Sequence, residues 1–184
     1  TNLINWPIFD LLRSSLGDTL KSRVNIDRTT APQTFTANIN VPGLALDAEG
    51  AFPETGYLPA RANIDLKVEQ LSNFFPLPQG YQMANLSAKG RANLQSPLGF
   101  DGMVSAEGIK TPFGTTASIA GPIAAAQTGD DIYDFKTDFN LVNLITLKAL
   151  PFSLSKQTTL KTAGALNLSA GRVSLSSFNL RSDR

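Results

Sequence analysis

Cysteine and histidine are both absent from the 184 residues. Without thiolate or imidazole, the usual zinc ligand sets, haem ligation by His, and Ser-His-Asp or Cys-His catalysis are excluded. No disulfide staples the chain, and the lack of Cys leaves its compartment open. Charge of one sign is missing too: Lys+Arg is 16 against Asp+Glu 15, a net +1. Such a balance creates no global field to attract nucleic acid or an anionic membrane, so no nucleic-acid partner is expected. The longest apolar runs are a few residues, far below the ~20 that cross a bilayer. There is no signal-peptide pattern. The sequence starts at Thr1 without Met and stops at Arg184 in mid-pattern, so we read it as an internal piece of a longer chain.

What is present begins with one helical stretch, "NWPIFDLLRSSLGDTLKSRV". Pro7 suits a first helical position, and Ile4, Ile8, Leu11, Leu12, Leu16 and Leu20 recur at three- and four-residue spacing. This predicts a short N-terminal amphipathic helix, broken near Gly17, lying on the end of a sheet. Its charges are mixed in sign, which argues against a membrane-surface role.

From Phe35 the period changes to two. "FTANINV" sets Phe35, Ala37, Ile39 and Val41 on one side, and "ARANIDLKVE" sets Ala62, Ile64, Leu66 and Val68 against Asn63, Asp65, Lys67 and Glu69. Alternation of this kind marks a strand with one apolar and one wet face. It persists in "FDGMVSAEGI", "FGTTASIAG", "YDFKTDFNL" and "LKTAGALNL". Between these runs lie the turn signals "VPG", "FPETG", "SPLG", "TPFG" and "TGDD". About nine strands with no long helix between them predict an all-β, mostly antiparallel fold.

The phrase "LSAKGRANL" (86–94) returns as "LKTAGALNL" (160–168) at an offset of 74, and "NIDL" (63–66) lies over "DFNL" (138–141) at an offset of 75. "GMVSA" (102–106) matches "GRVSL" (171–175) at 69. Each unit reads as a strand, a short apolar link ("VEQLSNFFPLP", "VNLITLKALPF") and strands ending near a Gly. The links suit single helical turns closed by Pro76 and Pro151. The expected organisation is 1–34 as helix and linker, 35–56 as first strands, and 57–128 and 129–184 as two β-repeat units of one continuous elongated domain. Repeats usually mean stacking, each unit burying its face against the next.

Strands ~4.8 Å apart stack over roughly 43 Å, an elongated object. A curved sheet would expose its whole apolar face unless it folded over on itself. The apolar lists hold many Ala, Gly, Thr and Val residues and few bulky aromatics, so an apolar trough is expected to remain inside. The alternative is a dry sandwich core in which the same side chains meet one another.

In texture, "IKTPFGTTASIAG" (109–121), "FNLVNLITLKALPFSLSKQTTLKTAGALNLSAG" (139–171) and "GRVSLSSFNLRS" (171–182) resemble the TamB and AsmA-like family of periplasmic β-repeat bridge proteins. The resemblance covers about 57–184 and omits the N-terminal helix. It implies a curved, taco-shaped sheet folded over an apolar groove. In a diderm periplasm, within a longer protein anchored in the inner membrane, that groove would carry phospholipid acyl chains between the membranes or support outer-membrane biogenesis. It leaves open an outer-membrane barrel protein of the same export system as a partner. The expected groove lining is Ile64, Leu66, Val68, Phe100, Val104, Phe113, Ile119, Phe135, Phe139, Leu166, Leu168, Val173 and Leu175.

Other signals are weaker. Asp130 and Asp131 lack the spaced oxygen ligands of a calcium loop and read as a solvated turn. Ser155 and Lys156 are neighbours that point to opposite faces of a strand. "NLS" at 85–87 and 167–169 matches a glycosylation acceptor by a pattern short enough to arise by chance. No enzyme activity, metal or cofactor is expected. Two further readings compete with the bridge segment. One is a stand-alone lipid carrier with a helical lid; the other is a structural or adhesive β-solenoid with a self-filled core.

Overall fold

The computed structural model of the chain describes residues 21–27, 29, 32–53, 59–74, 77, 79–146 and 156–182. Where the sequence alternates, the backbone is extended. The strands are β1 (Lys21–Asp27), β2 (Thr34–Val41), β3 (Leu44–Ala51), β4 (Arg61–Glu69), β5 (Asn85–Asn93), β6 (Gly99–Thr111), β7 (Gly114–Gly129), β8 (Ile132–Val142), β9 (Ile145–Thr146), β10 (Gln157–Asn167) and β11 (Arg172–Ser182). They form one open, curved sheet in the order β1-β2-β3-β4-β5-β6-β7-β8-β10-β11, with the short β9 paired to β7. Every pairing is antiparallel. Each strand thus lies beside its predecessor in sequence, apart from the excursion through β9.

The helical stretch read over 5–24 lies outside the described residues as far as 20, but its last residues, 21–24, belong to β1. The alternation of Val24 and Ile26 with Arg23 and Asn25 suits a strand, and β2 pairs with β1 over its full length. The first apolar link contains one 3-10 turn, Leu71–Asn73. The second contains β9, and 147–155 lie outside the described residues.

Tight turns set the register. Gly43, at φ +82, closes the turn from β2 to β3, a backbone region open to Gly at little cost. In the turn from β6 to β7 the Thr111 hydroxyl donates to the Gly114 carbonyl (3.1 Å) and accepts from the Phe113 N–H (3.2 Å). The Asn167 carboxamide oxygen accepts from the Ser169 hydroxyl and the Ala170 N–H, both at 2.9 Å, and so closes β10.

The most buried packing lies at one end of the sheet. Ile39, Val41, Leu44, Val68, Leu71 and Phe74 form a cluster, with Leu46, Leu66, Leu77, Met83 and Leu86 packed against it. The link is tied down by its backbone: the Glu69 N–H donates to the Gly43 carbonyl (2.7 Å) and the Leu71 N–H to the Ala84 carbonyl (3.2 Å). Leu71 and Phe74 are thereby held across the ends of β2, β3 and β4.

The repeated phrases fall on β5 and β10, which follow β4 and β8 in the sheet order. Their rungs differ. Gly90 faces Ile64, whereas Gly164 faces Phe135, four residues short of Phe139, the residue matching Ile64 in the sequence alignment. An even shift leaves the side chains on the same face and slides β10 along its neighbour.

Candidate functional site

Directly opposed residues in an antiparallel pair share a face, so the register reads the sheet rung by rung. One rung runs Ile39, Leu46, Leu66, Ala88 and Val104. The next holds Ala48, Ile64, Gly90, Gly102, Ile123 and Thr137. Beyond it come Gly50, Ala62, Ala92, Phe100, Ala125 and Phe135. On the other side lie Val68, Leu86, Ala106, Ile119 and Leu141. The strands from β1 to β11 therefore present a single apolar face, and its members from β2 to β10 are buried or half-buried. Polar interruptions are hydroxyls: Thr137 and Thr162 oppose each other and share a hydrogen bond of 2.8 Å.

The opposite face is a ladder of polar pairs. Asn38 donates from its carboxamide nitrogen to Asp47, and Asn63 does so to Glu49 at 3.3 Å. Lys89 meets Asp65 at 3.1 Å and Lys161 meets Asp138 at 2.7 Å. The hydroxyls of Ser87 and Ser105 are 2.7 Å apart. Two open hollows, about 780 and 540 Å³, have lining sets that include Asp47, Lys89 and Arg91 in the first and Arg61, Arg91 and Lys136 in the second. Most of their lining residues belong to this polar side, and rung residues complete it: Ala48, Ile64 and Gly90 in the first, Phe100, Ala125 and Phe135 in the second.

Of the expected lining residues, Ile64, Leu66, Phe100, Val104, Ile119, Phe135, Phe139 and Leu166 lie half-buried on the apolar face. Val173 and Leu175 lie on the same face of the edge strand β11 and are exposed. Val68 shares the face but is 2% exposed within the packed end cluster, so it belongs to the protein's own core. Phe113 and Leu168 are not on the face. Phe113 is 73% exposed in the turn between β6 and β7, where strand alternation has stopped. Leu168 follows the last residue of β10, and its N–H donates to the Asp131 carbonyl (2.9 Å) as the chain turns.

Phe178 and Leu180 belong to the face but were absent from the expected lining. The register of β10 with β11 skips one residue, Ala163 opposing Ser177 while Gly164 opposes Leu175. This bulge at Ser176 inverts the parity of β11, so odd-numbered Leu175 and even-numbered Phe178 point the same way. The consecutive Ser176 and Ser177 are its visible trace in the sequence. Ile123, Leu141 and Leu160 also belong to the face; Leu141 and Leu160 close and open the alternating stretches "YDFKTDFNL" and "LKTAGALNL", whereas Ile123 lies just past "FGTTASIAG".

Asp130 and Asp131 are exposed in the turn between β7 and β8, with Asp131 at φ +57. Among the described residues no metal-ligating side chains come together. Ser155 lies outside the described residues.

Comparison with protein families, with curated proteins and with solved structures finds no match to this chain.

Proposed function

We propose that the chain shelters phospholipid acyl chains along its apolar face, as one segment of a periplasmic bridge between the membranes of a diderm envelope. The observation that carries this reading is the continuity of that face. Side chains on successive strands meet rung after rung from β2 to β10, and no second sheet or α-helix packs on them among the described residues. The lipid assignment also draws on the resemblance of 57–184 to the TamB and AsmA-like proteins.

The physical mechanism follows from area. Each methylene taken from water contributes about 0.8 kcal/mol, so a whole acyl chain gains a large stabilisation from a strip of side chains such as Leu66, Val104 and Phe135. Similar rungs repeated along the sheet offer similar environments, which lets a chain slide without a deep well. A scaffold with a self-filled interior is the competing reading, and the packed cluster around Phe74 favours it at that end of the sheet.

Native mass spectrometry of the protein purified from an envelope fraction tests the proposal. Bound phospholipid is the expected result. A photo-crosslinker at Phe135 should capture it, whereas one at Lys136 on the polar face should not. A ligand-free mass together with equal capture at both positions would leave only the scaffold.

A further inference from the structure

β6 and β7 outrun their neighbours at one end of the sheet. β5 begins at Asn85, opposite Glu107, and β8 ends at Val142, opposite Ser118, whereas the ladder between β6 and β7 continues to Thr111 and Gly114. Among the described residues only short pieces flank the projecting hairpin: a bridge of Gln82 with Lys110 on one side, and β9, with Ile145 on Thr115, on the other. Gly80 lies against Pro112, since a Cβ there would be 3.2 Å from the proline ring. Gln82, Lys110, Thr115 and Ile145 thus stand side by side, roughly 14 Å across at ~4.8 Å per segment.

Three large apolar side chains are bare on this end. Phe113 at the tip is 73% exposed, Ile145 62% and Tyr81 39%. Single exposed apolar residues are ordinary, but three gathered on one projecting end form a patch. Charge is scarce in the same place: residues 79–84, 108–118 and 143–146 hold one charged side chain, the exposed Lys110, and no acid. The nearest acid along β6 is Glu107, at the base of the hairpin, where its carboxylate accepts from the Asn85 carboxamide (3.0 Å). The remaining polar groups of these stretches are hydroxyls and carboxamides.

We propose that this hairpin tip docks on the surface of a phospholipid bilayer, with Phe113 inserted among the headgroups and Tyr81, Ile145 and Lys110 around it. Aromatic rings with a polar neighbourhood suit the headgroup level, and a lone cation without acids is attracted to lipid phosphate where a carboxylate would be repelled. A second copy of the chain offers a poorer seat for a convex tip. Both of its hollows carry Arg91 and Asp101, and a phenyl ring would strip water from those charges without replacing it. Two rings and one aliphatic side chain give only reversible attachment. Such docking goes beyond the sheltering of acyl chains and does not require it. The apolar rung Ala106, Ile119 and Leu141 crosses the base of the same hairpin, so a bilayer held at the tip adjoins the end of the apolar face.

Flotation of the whole chain with vesicles of phosphatidylcholine and phosphatidylglycerol tests this docking. The chain has no Cys, so Phe113→Cys can carry a single environment-sensitive nitrobenzoxadiazole label. Leu98→Cys, between β5 and β6 at the opposite end, carries the control. With vesicles the label at 113 should brighten at least twofold and shift to the blue, and the label at 98 should not change. Phe113→Asp should cut the floated fraction at least fivefold with the circular dichroism of the sheet unchanged, whereas Leu98→Asp should float as the unsubstituted chain does. No flotation at millimolar lipid would overturn the proposal, as would flotation that survives Phe113→Asp or equal responses from the two labels. Self-association in sedimentation abolished by Phe113→Asp would overturn it in favour of a second copy. Phe135→Glu separates docking from sheltering: it should lower the co-purifying lipid and leave flotation unchanged, and loss of flotation in that variant would move the membrane contact to the apolar face.

Discussion

Gly90 of β5 and Gly102 of β6 stand directly opposite each other on the apolar face, between Ile64 and Ile123. A Cβ on Gly90 would lie 2.6 Å from the Gly102 Cα and closer still to the Asp101 carbonyl oxygen. Backbone cannot retreat there without breaking the β5–β6 ladder. Gly90→Ala should therefore destabilise the sheet by about 1–3 kcal/mol, the usual cost of overpacking. Gly171 provides the contrast: it sits at φ +59, and a methyl added there would find nothing within 4 Å, so alanine meets only backbone strain, about 1–2 kcal/mol. Urea unfolding of both variants checks the mechanism. If a Gly102→Ala change added to Gly90→Ala costs nothing further, the two share one clash; full additivity would contradict their facing relationship.

The packed end of the sheet makes a sharper thermodynamic contrast. Phe74 is 5% exposed and its ring lies 3.3 Å from where a methyl on Gly43 would be, so the link closes over the turn between β2 and β3. Phe74→Ala should cost about 3–5 kcal/mol, the range for emptying a buried aromatic site. Phe113→Ala, in an exposed turn, should stay within about 0.5 kcal/mol. Equal losses in denaturant titrations would mean that the link does not hold this end closed.

These two phenylalanines also mark what is legible in the sequence. Period-two alternation is a local property, so β2, β4, β6 and β8 and the side of the sheet their apolar residues share can be read from residues a few positions apart. The stop of an alternating run is equally local but easily overshot, and that is why Phe113 and Leu168, just past the ends of their strands, look like lining residues in sequence. Leu71 and Phe74 obey no period, and their burial depends on the link folding back over Gly43, a contact remote in sequence. The slide of β10 along β8 is hidden for the same reason: the Gly-ended phrases match, but which residue faces Gly164 is a matter of pairing with Phe135, 29 positions away in sequence. The bulge at Ser176 leaves a trace in a broken alternation whose meaning needs the partner strand.

On the polar face the ion pairs should contribute little. Lys89 is 78% and Asp65 32% exposed, with 3.1 Å between charged atoms. Water and side-chain entropy offset most of the attraction, and exposed pairs typically give about 0.2–1 kcal/mol. A double-mutant cycle of Lys89→Ala and Asp65→Ala should return a coupling in that range, shrinking as salt is raised to about 1 M, where the screening length falls to about 3 Å. A coupling that is larger and indifferent to salt would show that the ladder is less hydrated than its exposure indicates.

The apolar face offers a test that separates holding the sheet together from holding a ligand. Phe135 and Lys136 are neighbours on β8 that point to opposite sides, opposite Ala125 and Ala124 of β7. Phe135→Glu puts a charge among Phe100, Ala125 and Gly164, while Lys136→Glu exchanges one exposed charge for another. Phe135 is only half-buried, so the Glu variant retains access to water and should keep its far-ultraviolet circular dichroism. Under the lipid-sheltering proposal it should lose at least tenfold of the co-purifying phospholipid measured by extraction and mass spectrometry, and Phe135→Leu should restore it. Lys136→Glu should retain the wild-type amount. Equal lipid content in both Glu variants, with both folded, would show that acyl chains do not lie against this face.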